Sequence, residues 1–393
     1  MEKMTIGIIA APDLPASTAE VIKDDLPDAI STITWNQMEW NVETQISPLA
    51  GAAEKISDIL AEAKKLREKY RWDYAICLTD LPVFSGKNVV LADVSVNDGV
   101  AHISLPAFGA LPTPKRIKNT VVKLVKELYI QCTVGAEKHE MRTNGIGPIN
   151  KEKNKGAFKK LKEVLRFHPF FRVSSPTVEG VGVRFIIRSK LNGWAFVLLG
   201  MAIANRPWTI MPSFKGVVAL AFASGAYGLI FPTLWQLSMS YNLPRFFGLM
   251  FASILAMLVW IVFAHNLWER PSQNTTSHLR MLYNTATIIT LLFSILLYYL
   301  VLFALFLLAV SIFVPPDLFG FQSDQNVGVH DYLKLAWLVT SVATVAGSIG
   351  SGLEKTEVVG KVTYGYRQYL RYEQAKQDEK EEESDKYGKA EDN

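Results

Sequence analysis

The residues through which this sequence could do chemistry are few, and most of them are carboxylates. Asp73, Asp80 and Asp93 stand near the ends of short apolar runs, in "WDYAICLTDLP" and "NVVLADVSVNDG". Open α/β sheets place ligand sites beyond strand ends, so Asp80 and Asp93 are the candidate ligand residues. The competing reading makes them solvated or turn-capping carboxylates. A lone Glu127 lies in "VVKLVKELYIQC", residues 121–132. His102, His139, His168, His265, His278 and His330 are scattered, with no pair at metal-ligand spacing. No P-loop, no GxGxxG after a strand and no GxSxG occurs, and "GIGP" at 145–148 reads as a turn. No metal or cofactor is expected.

The elements that must position these residues follow from periodicity. Strands are expected at 5–11, 32–38, 73–79, 88–96 and 101–108, with helices over 17–30, 49–70 and 114–132. Strand–helix alternation predicts an α/β domain with a mixed sheet. Its one antiparallel hairpin would turn at Asn97, Asp98 and Gly99 in type I′ geometry and form an edge. In the last helix, Val121, Val125, Leu128 and Cys132 share one apolar face, as on any amphipathic helix covering a sheet.

The order β-α-β-α-β-β-β-α, with the stretch "WDYAICLTDLPVFSGKNVVLADVSVNDGVAHISLPAF", resembles the N-terminal subdomain of metzincin zinc proteases, in particular the archaemetzincin branch. The resemblance covers roughly residues 4–132. It implies that the helix after the edge strand once carried HExxHxxGxxH, two zinc-binding histidines around a general-base glutamate. With Glu127 at the base position, Lys126 and Ile130 stand at the two histidines, Thr133 at the glycine and Ala136 at the third histidine. Neither a cationic lysine nor an isoleucine can ligate zinc, so the resemblance implies a pseudo-protease domain.

Four later stretches, about 216–239, 246–265, 285–314 and 333–353, are long enough to cross a hydrocarbon core of roughly 30 Å as helices of about 20 residues. A shorter run at 191–204 ends in "NRPW" and reads as an interfacial helix; five spans are the alternative. The positive-inside rule favours four spans, with Arg206, Lys215, Arg270 and Arg280 on the side of the basic tail. Both termini are then cytoplasmic, at a bacterial plasma membrane. The span centres carry no ionisable residue, which speaks against a proton-coupled pump. Ala221 with Gly225, and Ala343, Gly347 and Ser351, recur at helical spacing and serve either packing within one bundle or self-association. Trp208, Trp235, Trp268 and Trp337 near span ends suggest an aromatic belt, and Pro232 a kink in the first span.

Charge is dense and mixed up to about Lys190, nearly absent to Leu353, and dense again in the tail, while the net charge of +4 does not suggest nucleic-acid binding. Cys77 and Cys132 read as buried reduced thiols. The apolar run in "MEKMTIGIIAAPDLP" is too short for a signal core and reads as a first strand. The expected organisation is a cytoplasmic α/β domain at 1–135, then a basic linker at 136–190 with an amphipathic helix at 151–172. A membrane domain at 191–355 follows, an all-α transmembrane bundle, and then an interfacial helix and disordered charged tail at 356–393, with Tyr366, Tyr369 and Arg371 near the membrane surface. The segments "WDYAICLTDLP", "ANRPWTIMPSF", "HNLWERP" and "YLKLAWL" also resemble a family of multi-span membrane proteins of Gram-positive bacteria, a family that brings no established activity. The expected function is non-catalytic: an integral membrane protein whose soluble domain binds a ligand or an unknown protein partner beside the lipid bilayer. The alternatives are a small transporter or channel regulated by that domain, and a membrane-bound hydrolase working through residues such as Asp80 and Asp93.

Overall fold

The computed structural model describes residues 2–33, 38–53, 55–85, 88–109, 112–143, 171–174, 181–187, 190–269, 277–323, 327–352, 359–360 and 363–391. The chain divides into an α/β unit, Met1–Ala204 with Gln368–Asn393, and a helical unit, Asn205–Arg367.

The α/β unit is built on an eight-stranded mixed sheet. Strands β1 (Glu2–Ala10), β2 (Met38–Ile46), β3 (Tyr74–Thr79), β5 (Asn88–Ser95), β6 (Val100–Ser104), β7 (Phe171–Ser174) and β8 (Val183–Ile187) lie in the order β2-β1-β3-β6-β5-β8-β7. β4 (Val83–Ser85) pairs with β5 off this path. β1 pairs parallel with both β2 and β3, and β3 parallel with β6; the remaining pairs are antiparallel. The central strands read as unbroken apolar runs because both their faces are covered: Ile6, Ile8 and Ile9 are all buried.

One face is covered by α3 (Ile56–Tyr70), whose Ile59, Leu60, Ala63 and Leu66 pack on Ile9, Ala75, Cys77 and Val100. On the other face Trp40 stacks with Tyr74 and meets Tyr129 of α4 (Pro114–Thr143) edge-on. Helices α1 (Leu14–Lys23) and α2 (Leu26–Ile33) pack beside α4, where Lys118 pairs with Asp25 at 2.7 Å. Within α4, Val121, Val125 and Leu128 form the buried face expected of them.

Several elements depart from the sequence reading. Of the expected strand 32–38, residues 32 and 33 belong to α2, with Ser31 and Thr32 hydroxyls donating to carbonyls one turn back, Met38 opens β2, and 34–37 lie outside the described residues. The helix expected over 49–70 is a short 3-10 turn, Pro48–Gly51, followed by α3. The β5–β6 turn is not type I′. Only Gly99 takes positive φ (65°), and its N–H donates to Val96 O, a type I turn closed by a left-handed glycine. The hairpin is no edge either, since β8 pairs with β5 and β7 with β8. The segment assigned to a linker therefore supplies two strands; residues 151–170 of its expected helix lie outside the described residues. The α/β unit also takes in α5 (Lys190–Ala204), expected as an interfacial helix. Its Gly200 lies against the Pro106 carbonyl, where a methyl group would collide with backbone.

The helical unit contains α6 (Lys215–Gly228), α7 (Pro232–Ser240), α8 (Leu243–Ala264), α9 (Ser277–Phe313), α10 (Pro316–Ser323) and α11 (Val329–Ser351). Three of them, α8, α9 and α11, are long and apolar enough to cross a membrane; a fourth crossing would have to be a broken span. The expected span 216–239 is two helices, and Pro232 opens the second at its first turn instead of kinking one. The small-residue faces meet inside the unit. A methyl on Gly225 would overlap Phe306 and touch Ala343, and one on Gly347 would overlap Tyr298 and touch Ala221. Ser351 is buried too, its carbonyl bonded to His265 Nε2 at 2.9 Å. These faces are thus occupied within one chain. Trp208 and Trp268 are exposed as a belt requires, whereas Trp235 is buried, its indole N–H donating to Leu229 O.

The tail is helical. Tyr364–Glu391 forms α12, where disorder was expected beyond the first turns. Its composition of Gln, Lys, Glu and Ala favours helix.

Candidate ligand crevice

In the order β2-β1-β3, the chain leaves β1 for a neighbour on one side and later returns to the other side. The loops after β1 and β3 therefore diverge, and open a crevice at the carboxyl ends of the strands. Asp80 follows the last residue of β3 and is fully buried. Its loop is held by the Leu81 N–H donating to Thr79 Oγ1 and by Ser104 Oγ donating to Leu81 O. Asp13 follows β1 as the residue before α1, yet its side chain makes no capping bond to that helix. It adopts φ 71°, ψ −118°, a conformation that costs a non-glycine residue about 1–3 kcal/mol. Gly51 closes the turn after β2.

All three loops converge on the guanidinium of Arg371, in α12. Its Nη1 donates to Asp80 Oδ1 at 2.7 Å and Gly51 O at 3.0 Å. Its Nη2 donates to Asp80 Oδ2 at 3.0 Å, Asp13 Oδ2 at 3.1 Å and Pro12 O at 3.2 Å. Burial works against the charge, but Asp80 and then Asp13 outweigh it and hold the guanidinium above the ordinary arginine range. A methyl group at Gly51 would overlap the guanidinium, so glycine is what lets backbone and cation approach. Two carboxylates and two carbonyls around a planar fork form a recognition site for a guanidinium.

No family model, curated protein or solved structure matches the chain. Its chemistry is therefore read from these contacts.

The tail's sequence suggests a membrane-surface position for Arg371; the structure buries it beside Asp80. Asp13 is not among the residues expected from sequence, although its place after the first strand mirrors that of Asp80 after the third. A cleft of about 110 Å³ opens nearby, lined by Ser47, Glu62, Lys65, Lys69, Ala375 and Asp378 among others.

Asp93 is not part of this crevice. It lies within β5, not at its end, and forms a two-bonded pair with Arg184 of β8, both contacts 2.7 Å. Arg184 also donates to Ser85 Oγ at 2.8 Å. Register places Asp93 opposite His102, and His102 opposite Cys77, so the four residues form one row across the sheet face. Cys77 is buried and free, its thiol pushed up by desolvation, which leaves it unreactive. Both ring nitrogens of His102 are buried without a hydrogen-bond partner among the described residues. Lys126, Glu127 and Ile130 are half-buried on α4, and no group of three or more His, Cys, Asp or Glu among the described residues could hold a metal.

Burial holds the His102 imidazole below its usual range, Asp93 raising it and Arg184 lowering it further. Unfolded, the same ring takes a proton near pH 6.5. The unfolded state then binds more protons below that pH, so the contribution of His102 is complete above about pH 6.5 and is lost on acidification. His102→Leu is expected to reduce the slope of stability against pH below 6.5 by up to about 1.4 kcal/mol per pH unit. Urea denaturation between pH 5 and 7 measures this, and equal slopes in both proteins would contradict it.

Proposed function

We propose that the chain is a non-catalytic integral membrane protein whose α/β unit faces the cytoplasm and binds its ligand or partner at the Asp13–Asp80 crevice. The observation that carries the binding reading is the convergence of five acceptor contacts, from three strand-end loops, on one guanidinium. The membrane reading is supported by the surface of α8. Leu243, Phe247, Phe251, Leu255, Val259 and Phe263 recur every four residues, and each is at least 45% exposed. Such a stripe is unfavourable in water and suited to lipid.

The proposed sidedness is supported by Arg371: it belongs to the same unit as Asp80, which fits an N-terminal domain and a tail on one side of the bilayer with an even number of crossings between them. The three long helices need a fourth crossing, and α5 is already engaged with the Pro106 carbonyl. The bent pair long and apolar enough to form one span is Trp194–Thr209 with Met211–Gly228. With α5 held in the α/β unit, we assign the fourth crossing to α6 and α7, residues 215–240, which extend to roughly 39 Å at 1.5 Å per residue. With Cys77 and Cys132 replaced by alanine, Ser323→Cys should react with an impermeant thiol reagent in intact cells. Asn393→Cys should react only after permeabilisation; the reverse pattern would invert the topology.

A further inference from the structure

The C-terminal part of α12 buries few of its described side chains, with Gln368, Leu370 and Glu373 half-buried. From Gln368 to Glu381, only Arg371 and Ala375 are buried among the described side chains, and Tyr369 and Tyr372 are exposed. One small methyl contributes little burial, so the guanidinium is the main fully buried group of this segment among the described residues. The receiving crevice shows the marks of a built site. Asp13 holds a strained backbone and a side chain that forgoes capping α1, and Gly51 leaves room for the cation. One helical turn beyond Arg371, Ala375 borders the open cleft whose charged lining is Lys65 and Lys69 together with Glu62 and Asp378.

Building on the crevice as the ligand site, we propose that it recognises a free guanidino acid of the arginine type and that Arg371 fills it in cis as a tethered substitute. The guanidinium end takes the contacts now made by Arg371, with Asp80 gripping both Nη atoms. The carboxylate end lies in the cleft beside Lys65 and Lys69. Withdrawal of the C-terminal segment opens the site.

The full-length protein in detergent, with Arg371→Ala, provides the test. L-arginine at about ten times its Kd should raise the Tm saturably by several degrees. Citrulline, of the same shape but uncharged, should leave the Tm unmoved, and wild-type protein should respond at least tenfold more weakly because its site is filled. Adding Asp80→Asn should abolish the response. Adding Lys65→Gln and Lys69→Gln should reduce the arginine response to that given by methylguanidinium. Should Arg371→Ala not accumulate, Arg371→Lys keeps one charge, leaves the fork unfilled and should show the same arginine-over-citrulline selectivity. Equal responses to arginine and citrulline, or an undiminished response with Asp80→Asn, would overturn the assignment. Either result leaves the membrane reading to the thiol-labelling pattern, which does not depend on the ligand.

Discussion

Arg184→Ala is expected to destabilise the α/β unit by about 3–5 kcal/mol, the cost of leaving a buried charge without its partner. Asp93 is fully buried, and both its carboxylate oxygens accept from Arg184 at 2.7 Å. Without that guanidinium the carboxylate has no water to turn to, and His102 beside it is held neutral by burial. The loss should be local at first. Strand β8 pairs with β5 through Val90, Ala92, Asp93 and Val94, so hydrogen exchange across 88–104 should accelerate by about two to four orders of magnitude. Replacing both partners, as Asp93→Leu with Arg184→Met, should recover most of the loss, since an apolar pair of similar volume carries no desolvation cost. Exchange in Arg184→Ala indistinguishable from wild type would mean that water or another group already solvates Asp93.

The second large effect is expected at Gly7. This residue lies in the middle of β1, opposite Glu43 on one neighbour and Ala75 on the other. The Trp72 ring lies directly over it, with its indole N–H donating to Glu43 Oε2 at 2.7 Å and its face stacked on Tyr70 at 4.9 Å. A Cβ at position 7 would occupy the space of the ring itself. Gly7→Val must therefore evict Trp72, and the cost should approach that of deleting a buried tryptophan, about 3–5 kcal/mol. A double-mutant cycle checks the cause. Trp72→Ala and Gly7→Val should together cost much less than the sum of the two alone, because Trp72→Ala removes the clash that Gly7→Val creates. Additive costs, from denaturant unfolding of all four proteins, would show that the ring is not what constrains the glycine.

How much of this could be read in advance depends on the range of each interaction. The apolar runs of β1, β3, β5 and β6 and the buried face of α4 were legible because burial writes itself into local periodicity. So were the long helices α8, α9 and α11, whose apolar composition is continuous over about 20 residues. Boundaries set by hydroxyl-to-carbonyl bonds, such as the end of α2 at Ile33, were not legible, because strand-favouring Ile and Thr also sit well in a helix held by packing. Strands β7 and β8 were hidden for a different reason. They are short, and Arg184 breaks their apolar character until its partner Asp93, 91 residues earlier, is known.

The crevice separates the two kinds of information most sharply. Sequence alone determined that Asp80 follows a buried parallel strand, which is where open α/β sheets gather ligand groups. It also determined that a lipid-suited helical segment lies between the α/β elements and the tail. Only the tertiary structure decided that Asp13 and Gly51 join Asp80, and that the ligand group in place is Arg371, 291 residues further along the chain. The physical reason is that a strand's periodicity is encoded by its own residues. A buried guanidinium is stabilised only by carboxylates that folding brings to it, and nothing local in "YLRYEQ" distinguishes that arginine from one on the surface.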